Sequence, residues 1–398
     1  MFSYLDRMIL AILVEPIKAE FALSDTQVGL LTGLAFAFFY ATFGIPIARM
    51  ADVGNRRNII AWSLAAWSVM TVLCGMAQSF VQLLLARVGV AVGEAGAVPP
   101  SHSLIADYFS PEKRAMALSL FTVGSTVGYL IGFAAGGIVA EIYGWRMAFL
   151  LVGTPGVLFA VLIRLTLKEP RESNKISELD EVVQDASLSD AARLLLHKKS
   201  YLFIVLGFAC YSVLSYGATQ WVASFLIRSH GMGIAEVGIK YGLVVSVSTG
   251  LGVLFGGWLS DKLYTTDPRW MVRIPTLCCI AAFPVSIFVF TLADTHVVIA
   301  LMGVLGFFFG ATTPPAMAAI HVIAGERRRA LAIAFTFLLT NIVGLGMGPV
   351  FIGFLSDTLQ ANMGADALGQ SILYTHILLL LAGLFFYRAE AFLRSDFE

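Results

Sequence analysis

Apolar residues in this chain gather into long runs, separated by short polar and charged clusters. A bilayer core of about 30 Å takes about 20 helical residues to cross. Twelve runs reach that length, near 2–21, 26–51, 57–76, 79–107, 112–139, 145–167, 200–228, 235–263, 271–292, 295–322, 329–357 and 370–394. One stretch breaks the rhythm. From Lys168 to Lys199 the chain is polar and charged, with Pro170, Ser173 and Asn174 near its start. The pattern predicts an all-α integral membrane protein of twelve transmembrane helices in two pseudo-symmetric six-helix bundles, 1–167 and 200–398, joined by a linker over 168–199. Within the linker, Ser187 to Leu196 reads as a short surface helix.

Composition agrees with a bilayer setting. Hydrophobic residues make up 58% of the chain and charged ones 13%, with a mean hydropathy of +0.83, whereas a soluble domain carries about 25% charged residues. The 26 basic and 26 acidic residues cancel, so no net field draws nucleic acid. Cys74, Cys210, Cys278 and Cys279 all lie in apolar runs, which suits reduced packing residues rather than a disulfide framework or a metal site. The opening run has no basic n-region or cleavage site and is read as a span rather than a secretory signal. Because it begins almost at Met1, a short cytoplasmic segment is expected ahead of it in the natural chain.

Basic residues set the orientation. Arg49, Arg56 and Arg57 follow span 2, Lys113 and Arg114 follow span 4, and Lys168, Arg171, Lys175, Arg193, Lys198 and Lys199 follow span 6. Lys262, Arg269 and Arg273 follow span 8, Arg327 to Arg329 follow span 10, and Arg388 and Arg394 close span 12. The other side holds only Lys18, Arg146, Arg228 and Lys240. Positive residues favour the cytoplasm, which places both termini and the linker inside.

The two halves also repeat each other. Ala48-Arg49-Met50-Ala51-Asp52 answers to Gly257-Trp258-Leu259-Ser260-Asp261-Lys262, Pro99-Pro100 to Pro314-Pro315, and Arg114-Ala115-Met116-Ala117 to Arg329-Ala330-Leu331-Ala332. Three ordered matches at nearly constant separation suit halves of common descent, a design that serves alternating access better than a channel or receptor. Span 5 carries Gly128, Gly132, Gly136 and Gly137, and span 11 carries Gly344, Gly346, Gly348, Pro349 and Gly353. Such spacing lets helices approach closely. It is expected to form either the contact on which the halves rock or static packing.

Charges inside the spans carry the chemistry. Arg7 lies in span 1, Arg87 and Glu94 in span 4, and Asp6 beside Arg7. A charge in hydrocarbon costs several kcal/mol by most scales, so such residues face a partner or a wet path. Span 1 runs outward to Phe21 and span 4 inward from Ser79, which sets Arg7 about 21 Å and Glu94 about 22 Å below the outer surface. They are level. Arg87 stands two turns above Glu94 on nearly the same face. These three residues could hold a phosphate at the arginines and a proton at the acid, or form a purely structural ion pair. Tyr129 and Gln220 complete the candidate substrate-binding set.

Asp6 points about 100° away from Arg7 and is assigned to cytoplasmic closure, with a secondary role in proton coupling beside Glu94 and Arg7. Glu15, Glu20 and Asp25 are expected to be solvated at the outer surface. His102 is read as a packed or hydrated residue, with a proton relay as the alternative. Phenylalanines such as Phe208, Phe255, Phe307, Phe308, Phe309, Phe335 and Phe337 recur in spans 7, 8, 10 and 11, whose central turns carry no charge.

The loop after span 2, with Asp52, Asn55, Arg56 and Arg57, resembles the signature of the major facilitator superfamily of secondary transporters, and the resemblance covers the whole chain. Ala48 and Val53 stand where glycine and a basic residue are usual, whereas Gly257 to Lys262 is a cleaner copy, and Gly144-Trp145-Arg146 is a further common element. A carboxylate at that helix end can lock basic groups when one side is shut and release them when it opens. Arg49, Asp52, Arg56, Arg57, Arg114, Asp261 and Lys262 are the gate residues this resemblance implies.

A narrower resemblance is to spinster-type lipid transporters. It rests on Tyr4-Leu5-Asp6-Arg7, Pro16-Ile17-Lys18, the Phe21 to Val28 turn, Arg87 through Gly93-Glu94-Ala95, and Asp107, Phe109 and Arg114, with Ser3 where asparagine is common. It implies transport of lysophospholipids or sphingosine phosphate, proton-coupled in some members. The expectations that follow are no cofactor beyond the proton gradient, a small-molecule or lipid substrate, no nucleic acid, and a monomer in the bilayer of the inner membrane. Organic-anion symporters can carry a similar Asp-Arg, so an organic-anion or multidrug transporter is the alternative. An intramembrane hydrolase is remote, since Ser101, His102 and Glu94, its only candidates, share one helix.

The topology is testable. Single cysteines at Ser173 and Asp294 in a cysteine-free background are expected to label from opposite sides of the membrane. Labelling of both from outside intact cells would contradict it.

Overall fold

Backbone N–H and C=O groups in hydrocarbon find no water, so each span must satisfy its own hydrogen bonds as a helix. The computed structural model describes residues 1–170, 195, 197–325 and 329–396, and helices run through all the apolar stretches, with no strand among the described residues. Residues 171–194 and 196 of the linker lie outside the described residues, and with them, Leu195 apart, the surface helix expected over Ser187 to Leu196.

Twelve spans follow one another. Span 1 is Phe2–Ile12 plus Val14–Phe21, span 2 is Asp25–Gly29, a π turn Leu30–Leu34 and Ala35–Val53, and span 3 is Arg56–Met76. Span 4 is Phe80–Glu94 plus Val98–Tyr108, span 5 Pro111–Tyr143 and span 6 Trp145–Thr166. Spans 7 to 10 are Lys199–His230, Ile234–Tyr264, Trp270–Thr291 and Thr295–Ala324. Span 11 is Arg329–Thr340, a π turn Asn341–Met347 and Gly348–Met363, and span 12 is Ala367–Thr375 plus Ile377–Asp396.

By length and hydropathy alone ten stretches qualify as spans. Two things hide the others. Leu13 breaks span 1 into pieces of 11 and 8 residues, and spans 11 and 12 run together as Leu331–Leu393.

The breaks have local causes. Proline lacks an N–H and clashes inside a helix, but fits the first turn of one. Pro99 and Pro100 accordingly open the second segment of span 4, and the first segment ends at Glu94. Their counterparts Pro314 and Pro315 sit inside an unbroken span 10.

The chain divides into two compact units. The first is Met1–Glu181 with Met232–Gly242, and the second is Val182–Gly231 with Leu243–Glu398. Inside the first, span 3 packs along span 6 and span 1 along span 5. Inside the second, span 9 packs along span 10 and span 7 along span 12.

The glycine stripes act within each unit. A Cβ at Gly128 would lie 2.3 Å from Met1 O, and one at Gly132 would lie 2.8 Å from Leu5 O, so this part of the span 5 stripe seats span 1. At Gly348 a Cβ would lie 2.3 Å from Val213 O, so span 11 closes on span 7 in the same way. These particular glycines are packing joints of one unit, the second of the two roles expected for them.

The outer acids are also more engaged than expected. Asp25 is 1% exposed and pairs with Lys18. Glu20 accepts hydrogen bonds from Trp145 Nε1 at 2.7 Å and Arg146 Nη1 at 2.5 Å, tying span 1 to span 6.

Candidate functional site

Where span 4 stops, Glu94 meets span 1. Its Oε2 accepts a hydrogen bond from Arg7 Nε at 2.9 Å and lies 2.7 Å from Nη2. Both guanidinium contacts fall on one oxygen. The other, Oε1, is buried with no hydrogen-bond partner among the described residues. The Arg7 side chain is 18% exposed and that of Glu94 1%.

Asp6 makes the second link. Its Oδ2 accepts from Arg87 Nη1 at 2.6 Å, and its Oδ1 from Thr71 Oγ1 of span 3 at 2.6 Å. Both charged side chains of this pair are 2% exposed. Successive residues of span 1 thus grip span 4 at two points, and the length of the arginine side chain lets Arg87 reach Asp6. This replaces the assignment of Asp6 to cytoplasmic closure. Arg87 thus lies buried with its guanidinium on a carboxylate.

Aromatic rings surround the arginines. Arg7 Cζ lies 4.7 Å from the Phe36 ring centre, 5.2 Å from that of Tyr40 and 5.9 Å from that of Tyr4. Arg87 Cζ is 5.3 Å from Phe36. Guanidinium groups are attracted to the negative face of such rings, by about 2 kcal/mol or more when desolvated.

A second charged cluster gathers where span 3 begins. Arg56 is fully buried and meets Glu169 Oε1 at 2.6 Å and Asp107 Oδ2 at 2.6 Å. Its Nη1 donates to Ser103 Oγ at 2.9 Å. Glu169 Oε2 also accepts from the backbone N–H groups of Arg56 at 2.7 Å and Arg57 at 3.2 Å, where the helix dipole favours a carboxylate. Arg57 reaches Asn58 Oδ1 at 3.3 Å, and Arg114 donates to Phe109 O at 3.1 Å.

Span 9 of the second unit starts in a similar way. Arg273 meets Glu390 at 2.6 Å and Asp267 at 3.2 Å. Of the other expected gate residues, Arg49 and Asp261 are exposed, and Lys262 lies 5.1 Å from the Trp258 ring centre. The Asp52 side chain lies outside the described residues.

The remaining candidates are spread over both units. Tyr129 Oη is 3.4 Å from Tyr241 Oη within the first unit. Gln220 belongs to the second, and its Nε2 is buried with no partner among the described residues, as is Ser224 Oγ one turn on. His102 is exposed and packs edge-on to Phe121 at 5.1 Å. Ser101 donates to Ala97 O at 2.6 Å, so these contacts do not assemble a nucleophile with its base.

Sequence reasoning missed Glu169, Glu390 and Phe36. Glu169 just after span 6 is read as linker and Glu390 as part of span 12, although the two acids stand at nearly the repeat separation. That correspondence was the available signal. Phe36 had none, being one phenylalanine among 30.

Comparison with known proteins gives a consistent picture. The family model described as Major Facilitator Superfamily matches residues 1–349. An MFS-type efflux pump of Mycolicibacterium smegmatis is 36% identical over 396 residues, spanning 99% of this chain and 91% of that one. A sphingosine-1-phosphate transporter of Danio rerio is 24% identical over 422 residues, spanning 99% and 82%. The crystal structure of a bacterial homolog to the human lysosomal transporter spinster, inward-facing and unoccupied, superposes with a TM-score of 0.91 at 31% identity, covering 99% of this chain and 95% of that one.

The span 3 cluster predicts an order of stabilities. Removing one partner of a buried pair costs about 3–5 kcal/mol, while a more exposed partner contributes about 0–1 kcal/mol. Thermal unfolding in detergent is expected to show Glu169→Ala as the most destabilised, then Glu169→Gln, then Asp107→Asn, because the Asp107 side chain is 39% exposed. Equal losses for Asp107→Asn and Glu169→Ala would contradict it.

Proposed function

Because this chain belongs to the Major Facilitator Superfamily, we propose that it is a proton-coupled secondary transporter of an amphipathic anion, a lysophospholipid or sphingoid phosphate, working by alternating access. The observation that carries this reading is the Arg7–Glu94 pair at the break of span 4, with one carboxylate oxygen left without a partner. Discontinuous helices recur at substrate and coupling-ion sites of transporters.

The two links hold two positive and two negative charges. A proton on Glu94 cancels the negative charge opposite Arg7, releases the guanidinium and loosens spans 1 and 4. An anionic headgroup then replaces the carboxylate on Arg7. Substrate and proton are thereby coupled through one group, and Arg87 with Asp6 keeps the helices in register while the other link opens. Asp6 is the second proton candidate.

The apolar wall supports the lipid part of the reading. An open apolar groove of about 280 Å³ runs between spans 8 and 10, lined by Val244, Leu251, Ala300, Val304 and Phe307 among others, and suits part of an acyl chain. Gln220 and Ser224 offer neutral hydrogen bonds to a substrate's hydroxyl, amide or ester. Phe208 is removed from the wall, since it is buried between Tyr211 and Phe386. The protein acts as a monomer in the inner membrane, with both termini and the 168–199 linker cytoplasmic, as the basic residues favour.

A second reading, an organic-anion or multidrug transporter, is supported by the likeness to the M. smegmatis relative, an MFS-type efflux pump. Counterflow in proteoliposomes separates the two: lysolipid exchange supports the first, and exchange of a short organic anion alone supports the second.

Glu94→Gln tests the coupling. It is expected to mimic the protonated acid, to shift distances between spin labels at the two faces in one direction, and to flatten their response to pH. A response that stays as in the wild type would move the proton site to Asp6.

A further inference from the structure

The two ion pairs share a neighbour that bears no charge. Phe36 is 1% exposed, and it is the second residue after the π turn Leu30–Leu34. A π turn adds one residue to the winding, which rotates everything beyond it by about 100° relative to an unbroken α-helix. Phe36 and Tyr40, one turn apart and stacked at 5.9 Å, are brought by span 2 beside the arginines. The Phe36 ring centre is 4.7 Å from Arg7 Cζ and 5.3 Å from Arg87 Cζ.

Packing asks only for apolar volume at this position, and leucine would supply most of it. The distances show more than volume. Two guanidinium groups repel each other in a low dielectric, and the face of one ring attracts both. The charged and titratable groups that interact with Arg7, Arg87 and Glu94 are the Met1 amino group, Tyr4 and Asp6 from span 1, Tyr40 from span 2 and Cys74 from span 3.

We propose that Phe36 is the positioning residue of this centre, whose ring holds Arg7 when its carboxylate partner is neutralised or displaced. The proposal rests on Glu94 as the group that changes charge. In the paired state Arg7 has both the carboxylate and the ring. Once Glu94 is neutral, the ring and Tyr40 keep the guanidinium beside Arg87 and ready for an incoming anion. The ring therefore lowers the cost of the unpaired state and makes exchange on Arg7 feasible within the bilayer.

Replacing Phe36 by mono-, di- and trifluorophenylalanine drains the π face in steps with little change of size. The series is made in the wild type and in Glu94→Gln, and thermal unfolding of the full chain is measured in both. Arg7 leans more on the ring when Glu94 is neutral, so the loss of unfolding temperature is expected to be about twice as large or more in Glu94→Gln. Equal losses in the two backgrounds would overturn the proposal, because packing alone is indifferent to the charge at 94.

The pH response gives a second readout. Weakening the ring penalises the protonated state, so the midpoint of the gate-distance change is expected to fall by about one pH unit across the wild-type series, a tenfold change in proton affinity. A midpoint that does not move overturns the proposal. Should the wild type show no pH response at all, the coupling assigned to Glu94 fails, and the comparison of the two backgrounds still decides the role of Phe36. Phe36→Leu, which removes the ring together with some buried volume, is expected to lower the pH midpoint in the same direction as the trifluoro variant.

Discussion

Hydrocarbon does not solvate a lone charge, and the first unit places Asp6, Arg7, Arg87 and Glu94 inside its spans. Each must have an opposite partner at hydrogen-bond distance or the unit pays several kcal/mol per ion. Pairing them across two helices solves this and creates a liability of the useful kind. Neutralising any one member strands another, so spans 1 and 4 are held in an arrangement that a single proton or anion can upset.

The same logic at the start of span 3 gives a fixed rather than a labile joint. Glu169 receives two backbone N–H groups as well as the Arg56 guanidinium, and Asp107 adds a second carboxylate. Arg273 with Glu390 and Asp267 repeats the theme in the second unit. The central chemistry is not repeated. Where the first unit has two ion pairs, the second presents the neutral groups Gln220 and Ser224. Units that resemble each other in their joints differ in their buried polar groups.

Much of this was legible from residues alone. Spans were readable because hydrocarbon demands long apolar helices, and the level placement of Arg7 and Glu94 followed from the rise per residue. What was lost depended on side-chain reach and helix irregularity. Asp6 and Arg87 meet because a long side chain spans a depth that backbone counting separates. Phe36 faces the arginines after a π turn that periodicity at 3.6 residues does not anticipate. Glu169 lay in a segment read by its polarity, and polarity does not reveal that a carboxylate folds back onto a helix start.

The claim that Glu94 changes its charge within the membrane is tested most directly by difference infrared spectroscopy of the reconstituted protein. Spectra of the wild type and Glu94→Gln would be compared across pH in the carboxyl-stretch region, with and without lysolipid. The account predicts a pH-dependent band of a protonated carboxyl in a low-dielectric setting, shifted by lysolipid and missing from Glu94→Gln. The same band persisting unchanged in Glu94→Gln would contradict it.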